Sequence, residues 1–266
     1  MKNLKDKLVL ITGGASGIGK IMGLLALKRG ATLIIWDIDQ PRINESLAEF
    51  SKIGKVHGFI VDVSDPEQIS ASAALVKKTL GTVDVLINNA GIVVGKLFQD
   101  HSRVDILRTM TINANAPMLV TQEFLPDMIK QNSGHICNIA SLASLTSNPR
   151  MSVYAASKWC VFGWSDSLRI EMQKQKFNIG VTTVTPYYIN TGMFDGVKSK
   201  IIPILNPEKV ALRVIRAIEK NRIILSMPLT MHFVRLSQGL LPICLFDWFA
   251  GKVLGIYKTM DNFKGR

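Results

Sequence analysis

Residues 8–19 read Leu8-Val9-Leu10-Ile11-Thr12-Gly13-Gly14-Ala15-Ser16-Gly17-Ile18-Gly19. The first five are apolar or β-branched without alternation, which predicts a strand buried on both faces. The glycines that follow predict a tight turn, and residues 17–29 beyond it have helix length and composition. A strand, a glycine-rich turn and a helix in that order open a βαβ unit. Gly13, Gly17 and Gly19 let the backbone come close to a ligand, and the helix start at Ser16, Gly17 and Ile18 offers free amides at the positive end of a dipole. Such a turn can hold the pyrophosphate of a dinucleotide. The spacing GxxxGxG differs from the GxGxxG of other dinucleotide folds, so the signal rests on its place between a strand and a helix.

The same alternation continues outward. Strands are expected at 8–12, 32–36, 56–61, 83–88, 135–139, 180–185 and 223–225. Helices are expected at 17–29, 41–51, 66–80, one long stretch from about 100 to 129, 152–174 and 207–220. Apolar strands bracketed by helices predict an α/β fold with a doubly wound parallel sheet and helices on both faces. Asp65-Pro66 and Asn206-Pro207 are helix starts, a capping side chain followed by a first-turn proline. There is no repeat, low-complexity tract or linker. Residues 1–226 make one dinucleotide-binding catalytic domain, and residues 227–266 are an apolar C-terminal extension of it.

That extension carries Met231, Phe233, Val234, Leu236, Leu240, Leu241, Ile243, Leu245, Phe246, Trp248 and Phe249, broken by Arg235, Pro242, Asp247 and Lys252. Its longest uncharged part, 236–246, is too short to span a bilayer, which takes about 20 residues. Two readings stay open: a lid over a substrate cleft with an oligomer contact, or a segment that dips into a lipid surface.

The chain has 266 residues, 47% of them hydrophobic, and a mean hydropathy of +0.22, ample for a large core. Its 32 basic and 20 acidic side chains give +12. The basic residues are scattered without a block of five, so nucleic acid is not the expected partner. Cys137, Cys160 and Cys244 are odd in number and far apart, which indicates reduced thiols in a cytoplasmic setting. His57, His101, His135 and His232 lack ligand spacing, and no metal is expected. The apolar run 8–11 is too short for a signal peptide or a membrane span.

Around the turn, further residues suit a dinucleotide. Asp37 ends the second strand, eighteen residues after Gly19. A carboxylate there accepts hydrogen bonds from both adenosine ribose hydroxyls and repels a 2′-phosphate, which favours NAD over NADP. A helix-capping role for Asp37 is the alternative. Asp62 and Val63 follow the third strand, where they can meet the adenine edge. Asn88, Asn89, Ala90 and Gly91 follow the fourth, where they can pin the chain beside the cofactor or simply form a turn.

The reactive set lies downstream. Tyr154 and Lys158 are one helical turn apart and share a face, and Ser141 precedes Tyr154 by thirteen residues. A free tyrosine titrates near 10, so general-base use requires that value to fall. The Lys158 ammonium and an oxidised nicotinamide would favour the phenolate. Tyr154 would take the proton of an alcohol as hydride leaves, or return it to a carbonyl. Ser141 could fix the reacting oxygen, and Asn113 could hold a water linking Lys158 to solvent. A Tyr/Lys pair at this spacing is common on ordinary helices, so the signal comes from the ensemble.

As a set, Thr12-Gly13 with Gly17-Ile18-Gly19, Asp62, 88–91, Asn113, Ser141, Tyr154 with Lys158, and Pro186 with Thr191 resemble the short-chain dehydrogenase/reductase family over residues 5–226. The form is similar to the branch of retinol and 17β-hydroxysteroid dehydrogenases, with which Ile34-Ile35-Trp36-Asp37 and the apolar tail also agree. The resemblance implies a Rossmann-like sheet of seven strands and an Asn113/Ser141/Tyr154/Lys158 tetrad. It implies that Lys158 also binds the nicotinamide ribose, and that the loop after Pro186, with Ile189 and Thr191, covers the nicotinamide. It further implies a homodimer or homotetramer. The chain departs from the family by carrying Tyr187 where glycine usually follows the proline, and it lacks an N-terminal apolar segment.

Together these residues imply an NAD-dependent oxidoreductase of a lipophilic secondary or allylic alcohol or ketone, steroid- or retinoid-like, cytoplasmic or peripheral on a membrane. Two other readings stay open: a reductase of smaller polar or acyl-type carbonyls guided by the basic surface, and a lipid-surface binding protein with little turnover.

Overall fold

The structure, a computed structural model, describes residues 3–199, 201–228 and 231–264. The side chains of His232, Phe233 and Arg235 lie outside the described residues.

Seven strands form one parallel sheet: β1 Leu8–Thr12, β2 Thr32–Asp37, β3 Val56–Ile60, β4 Val85–Asn88, β5 Gly134–Ile139, β6 Ile179–Pro186 and β7 Ile224–Met227. Their order is β3-β2-β1-β4-β5-β6-β7. β1 pairs with β2 from Leu8↔Thr32 to Thr12↔Trp36, and with β4 from Val9↔Val85 to Ile11↔Ile87. After β3 the chain crosses to the other side of β1 to make β4, so the strand order reverses there. In open α/β sheets a crevice forms at that reversal, beyond the carboxyl ends of the strands.

Both faces are covered. Val9 and Ile11 of β1 pack with α1 (Gly17–Leu27), α2 (Gln40–Phe50) and α7 (Pro207–Glu219) through Met22, Ile43, Phe50 and Val214. Leu8 and Leu10 point the other way. They pack with α3 (Pro66–Leu80), α5 (Ala116–Lys130) and α6 (Ser152–Lys174) through Ile69, Val120, Phe124 and Leu168. This two-sided burial is why the strands carry continuous apolar runs. Trp36 is fully buried and meets the ring of Phe124 at 5.7 Å.

Helix starts follow local chemistry. Asp65 accepts from the amides of Glu67 and Gln68, Asn206 from Lys209, and Asp39 from Arg42. The single long helix expected from about 100 to 129 is instead divided. A 3-10 turn spans Phe98–Asp100, and α4 (Arg103–Met110) starts at a capping box between Ser102 and Asp105. A π turn over Thr111–Asn115 then leads into α5. Pro117 supplies the reason: it has no amide to donate to the Asn113 carbonyl four residues back, and the helix widens there.

After β7, the tail forms α8 (His232–Leu240), α9 (Ile243–Trp248), a π turn (Phe249–Val253) and a 3-10 turn (Ile256–Lys258). Met231, Val234, Phe246, Ala250, Ile256 and Met260 pack with Leu142, Met151, Tyr154, Tyr187 and Tyr188, so the tail lies beside the carboxyl ends of β5 and β6. Among the described residues no helix is long and apolar enough to cross a membrane.

Candidate active site

The glycine turn is shaped by close backbone contacts. Gly13 and Gly17 sit at φ +61° and +53°, in the left-handed region. A methyl at Gly13 would lie 3.0 Å from the Ala90 Cα, and one at Gly19 would run into the Gly13 carbonyl oxygen. Asn89 Nδ2 donates to the carbonyls of Thr12 and Gly13, both at 3.0 Å. The Thr12 hydroxyl accepts from the amides of Asn89 at 3.0 Å and Ala90 at 3.1 Å. These bonds tie the end of β4 to the turn. Behind them the buried Asn88 amide donates to Thr121 Oγ1 and to Asn138 Oδ1.

Ser16 starts α1 without capping it through its side chain, whereas α2, α3, α4 and α7 are all capped by theirs. The first amides of α1 have no side-chain acceptor, and Ser16, Gly17 and Ile18 line the cleft. An uncapped helix start behind a turn too tight for side chains fits the pyrophosphate of a nicotinamide dinucleotide.

That cleft has a volume of about 380 Å³, within the range of small-molecule sites. One end is lined by Gly13, Ser16, Gly17, Ile18, Asp37, Asp62, Val63, Asn89, Ala90 and Gly91, and the other by Ser141, Tyr154, Lys158, Pro186, Ile189 and Thr191. Of the residues singled out from the sequence around the turn and the reactive set, Thr12, Gly19, Asn88 and Asn113 do not line it. Gly19 faces the Gly13 carbonyl beneath the turn, and Asn113 stands behind Gly91. Asp37 braces the turn: Oδ2 accepts from the Ala15 amide at 3.0 Å and Oδ1 from the Asp39 amide at 3.2 Å. Asp62 Oδ1 accepts from the Ser64 amide and hydroxyl.

Tyr154 and Lys158 lie on the buried face of α6, and Ser141 stands just beyond β5. The Ser141 side chain stands by the Tyr154 hydroxyl, and its Oγ accepts from the Ala143 amide at 3.1 Å. Lys158 Nζ donates to the Ile139 carbonyl at 2.9 Å and sits 5.7 Å from the centre of the Tyr154 ring. Burial pushes the Tyr154 phenol up to about 12, against the lowering effect of Ser141. Burial likewise brings Lys158 down to about 8. The phenolate was expected from Lys158 together with an oxidised nicotinamide; without that second charge, burial keeps the phenol raised.

Asn113 Oδ1 accepts from the Ile92 amide at 2.8 Å, and Nδ2 donates to the Ile92 carbonyl and to Ser157 Oγ. Its side chain is thus committed to the strand-end loop beside Lys158. A methyl at Gly91, between them, would lie 3.2 Å from Asn113 Oδ1 and 3.6 Å from Lys158 Nζ.

At the Asp37 end the cleft also contains Ile38, Arg42, Ser64 and Arg108, which sequence reasoning passed over; at the Tyr154 end it contains Thr146, Asn148, Met151, Phe194 and Ile256, from the loops at 143–151 and 187–204 and the tail that were expected to wall the substrate. Arg42 pairs with Asp39, Nε to Oδ2, at 3.1 Å. Its place three residues after a capping aspartate was a usable signal; the others arrive from separate parts of the chain. Tyr187 and Tyr188 direct their bulk toward the later loop and tail. The Tyr187 hydroxyl meets Ser199 Oγ at 2.9 Å, and Tyr188 meets Thr259 Oγ1 at 3.0 Å. Among the described residues no cluster of three or more His, Cys, Asp or Glu could hold a metal ion.

Comparison with known proteins agrees with this geometry. The family model "short chain dehydrogenase" matches residues 7–201. Epidermal retinol dehydrogenase 2 of Mus musculus is 35% identical over 271 residues, covering 100% of this chain and 87% of that protein. Estradiol 17-beta-dehydrogenase 11 of Homo sapiens is 33% identical over 243 residues, covering 91% and 81%. A short-chain dehydrogenase/reductase from Burkholderia phymatum, solved in complex with NAD, superposes with a TM-score of 0.82 at 25% identity, over 90% of this chain and 95% of that one. A metagenomic short-chain oxidoreductase in complex with NADP gives 0.72 at 25% identity, over 84% and 96%. A parallel sheet with its order reversing at β1, a glycine cradle at that reversal, and a serine, tyrosine and lysine at the far end of one cleft make this chain a member of the short-chain dehydrogenase family, an NAD(P)-dependent oxidoreductase acting on CH–OH groups.

Proposed function

We propose that the protein oxidises a lipophilic secondary or allylic alcohol, steroid- or retinoid-like, or reduces the matching ketone or aldehyde, with NAD(H). The observation that carries this reading is the composition of the cleft. Its Ser141/Tyr154/Lys158 end is walled by Leu142, Ala143, Met151, Phe194 and Ile256. Apolar walls around a few polar groups suit a substrate that is mostly hydrocarbon.

The nicotinamide, when bound, takes up or supplies the hydride. The protein's residues do the rest. Gly13, Ser16, Gly17 and Ile18 present the uncapped start of α1 to the pyrophosphate, with Gly19 keeping the turn tight. Asp37 would meet the ribose, Asp62 and Val63 the adenine, and Asn89, Ala90 and Gly91 the middle of the cofactor, and Pro186, Ile189 and Thr191 would hold its nicotinamide end. Ser141 orients the substrate oxygen, and Tyr154 transfers its proton. A phenol that stays neutral is prepared to donate, which suits carbonyl reduction. Oxidation requires the positive charge of the oxidised cofactor to bring the phenol down. Lys158 steadies this end of the site, and Asn113 holds the loop at Gly91 against it. Asp37 at the adenosine end supports NAD; Arg42 in the same wall has its charge partly answered by Asp39.

The tail serves as a lid: Ile256 lines the cleft, and Phe246 and Ala250 back it. Its outer face is apolar. Leu240, Ile243 and Trp248 are 72%, 79% and 55% exposed, and Lys252 and Lys258 lie exposed nearby in the chain. That combination supports peripheral contact with an anionic lipid surface from which an apolar substrate enters. Exposed Val104 and Leu107 on α4 and Trp159 on α6 support a homo-oligomer.

A turnover panel of hydrophobic alcohols and ketones with both cofactors tests the reading. Turnover of steroid or retinoid alcohols with a preference for NAD is expected. An inert panel, or activity confined to small polar carbonyls, would overturn it.

A further inference from the structure

Beyond its π turn the tail swings at Gly255, φ +65°, into a strap of residues 256–264. Ile256 lines the substrate end of the cleft, and Thr259 stands behind that wall, only 2% exposed. The Thr259 hydroxyl is fully used. It donates to the Ile256 carbonyl at 2.9 Å and accepts from Asn148 Nδ2 at 2.8 Å. With its proton committed, it also accepts from the Tyr188 hydroxyl at 3.0 Å. One donor and two acceptor sites are all that a hydroxyl offers. The second amide proton of Asn148 goes to Tyr188 at 3.0 Å and closes a triangle of three side chains. Its corners come from the loop after β5, the loop after β6 and the strap, and Asn148, Tyr188 and Ile256 all line the cleft. Beside the triangle the Lys198 amide donates to the Thr259 carbonyl at 3.2 Å, and the Lys264 amide to the Asp195 carbonyl at 3.1 Å. The Tyr188 ring packs at 5.0 Å against Phe194, which packs at 6.1 Å against Tyr154. Through these two rings the Thr259 hydroxyl is connected to the reacting phenol.

We infer that Thr259, which lies outside the residues matched by the family model, is a positioning residue of the active site. Its hydroxyl holds the strap against both loops and so fixes the wall on which the substrate lies. Its effect passes through Asn148, Tyr188 and Ile256. Without the hydroxyl, Asn148 and Tyr188 would each aim a buried polar hydrogen at a group that cannot accept it, and a buried donor left unpaired loses most of its desolvation cost. The strap is the part that can give way. Gly255 has nothing within 4 Å of its would-be Cβ, so the strap can lift there and carry Ile256 off the wall.

The test compares Thr259→Val, which keeps the shape and removes the hydroxyl, with Thr259→Ser, which keeps the hydroxyl. Two readouts are taken on the full chain: amide hydrogen exchange, and KM and kcat on the best alcohol of the panel. In Thr259→Val, exchange should quicken roughly 10-fold in residues 143–151 and 187–198 as well as in 256–264. KM should rise by about 10-fold, the scale of one lost buried hydrogen bond, with a smaller change in kcat. Thr259→Ser should match the wild type in both. A residue that only stabilised the fold would lower the melting temperature and leave KM alone. The inference is overturned if quickened exchange stays within 256–264, if KM is unchanged in Thr259→Val, or if Thr259→Ser behaves as the valine variant does. Should Thr259→Val not fold, Tyr188→Phe takes its place: it removes one side of the triangle, and wild-type exchange in 256–264 would overturn the inference. The KM arm rests on the alcohol reading above, whereas the exchange arm needs no substrate. An inert panel would therefore remove that reading and leave exchange to decide this one.

Discussion

Gly19 shows how a single missing methyl lets a turn close on itself. It lies in the first turn of α1, where alanine is intrinsically favoured over glycine by about 1 kcal/mol. Yet a Cβ there would meet the Gly13 carbonyl and come within 2.6 Å of Asn89 Nδ2. Neither can withdraw easily, since Asn89 is bonded to both Thr12 and Gly13. Overpacking of this kind costs about 1–3 kcal/mol, so the clash wins over propensity. Gly19→Ala should lower the melting temperature and weaken cofactor binding more than 10-fold by calorimetric titration. Gly163, on the exposed side of α6 with nothing within 4 Å of its would-be Cβ, is the control. Gly163→Ala should melt at or above the wild-type temperature. Wild-type cofactor affinity in Gly19→Ala would mean that the cradle was misassigned.

Among the elements, the sequence was most legible where one physical requirement dominated. β1, α3 and α6 begin and end where their apolar runs, their proline-bearing caps and their helical face require. β4 was read two residues too long at its start, because Val83 is buried and apolar though unpaired in the sheet. The π turn at 111–115 was missed because it depends on one absent amide, at Pro117, within a pattern still periodic as a helix. The glycine turn and the Tyr154/Lys158 pair were visible because their spacing carries the chemistry. Arg108 was not, because only the folded chain brings α4 to the cleft. β5 also holds a group with a definite acid response. His135 is buried; Thr182 Oγ1 donates to the Arg222 carbonyl and so accepts from His135 Nε2–H at 2.8 Å. Its Nδ1 has no partner, and burial holds the imidazole down at about 3, well below its ordinary 6.5. The unfolded chain binds that proton while the native state does not, so stability present above about 6.5 is lost as pH falls from there toward 3. Melting temperature recorded from pH 7 to 4.5 should fall less steeply in His135→Gln than in wild type. Parallel slopes would contradict the assignment.

At the scale of the molecule, the tail turns one face to the cleft and leaves the other bare. Met231, Val234, Phe246 and Ala250 are buried, while Leu236, Leu240, Ile243, Leu245 and Trp248 are exposed. Flotation with anionic vesicles should carry the protein upward, and the double substitution Leu240→Glu with Ile243→Glu should cut the bound fraction at least tenfold. Equal flotation of both would move the contact elsewhere. The deepest dependence is on proton transfer at the other face of that tail. Tyr154 is buried beside Ser141 and backed by Lys158, and general acid–base catalysis of this kind is worth about 10²–10⁴ in rate. The most direct measurement is the kcat of Tyr154→Phe on the best alcohol of the panel, with cofactor affinity determined on the same sample. The structure predicts a loss of at least 10²-fold with the cofactor still bound; a variant that turns over at the wild-type rate would contradict the role of the phenol.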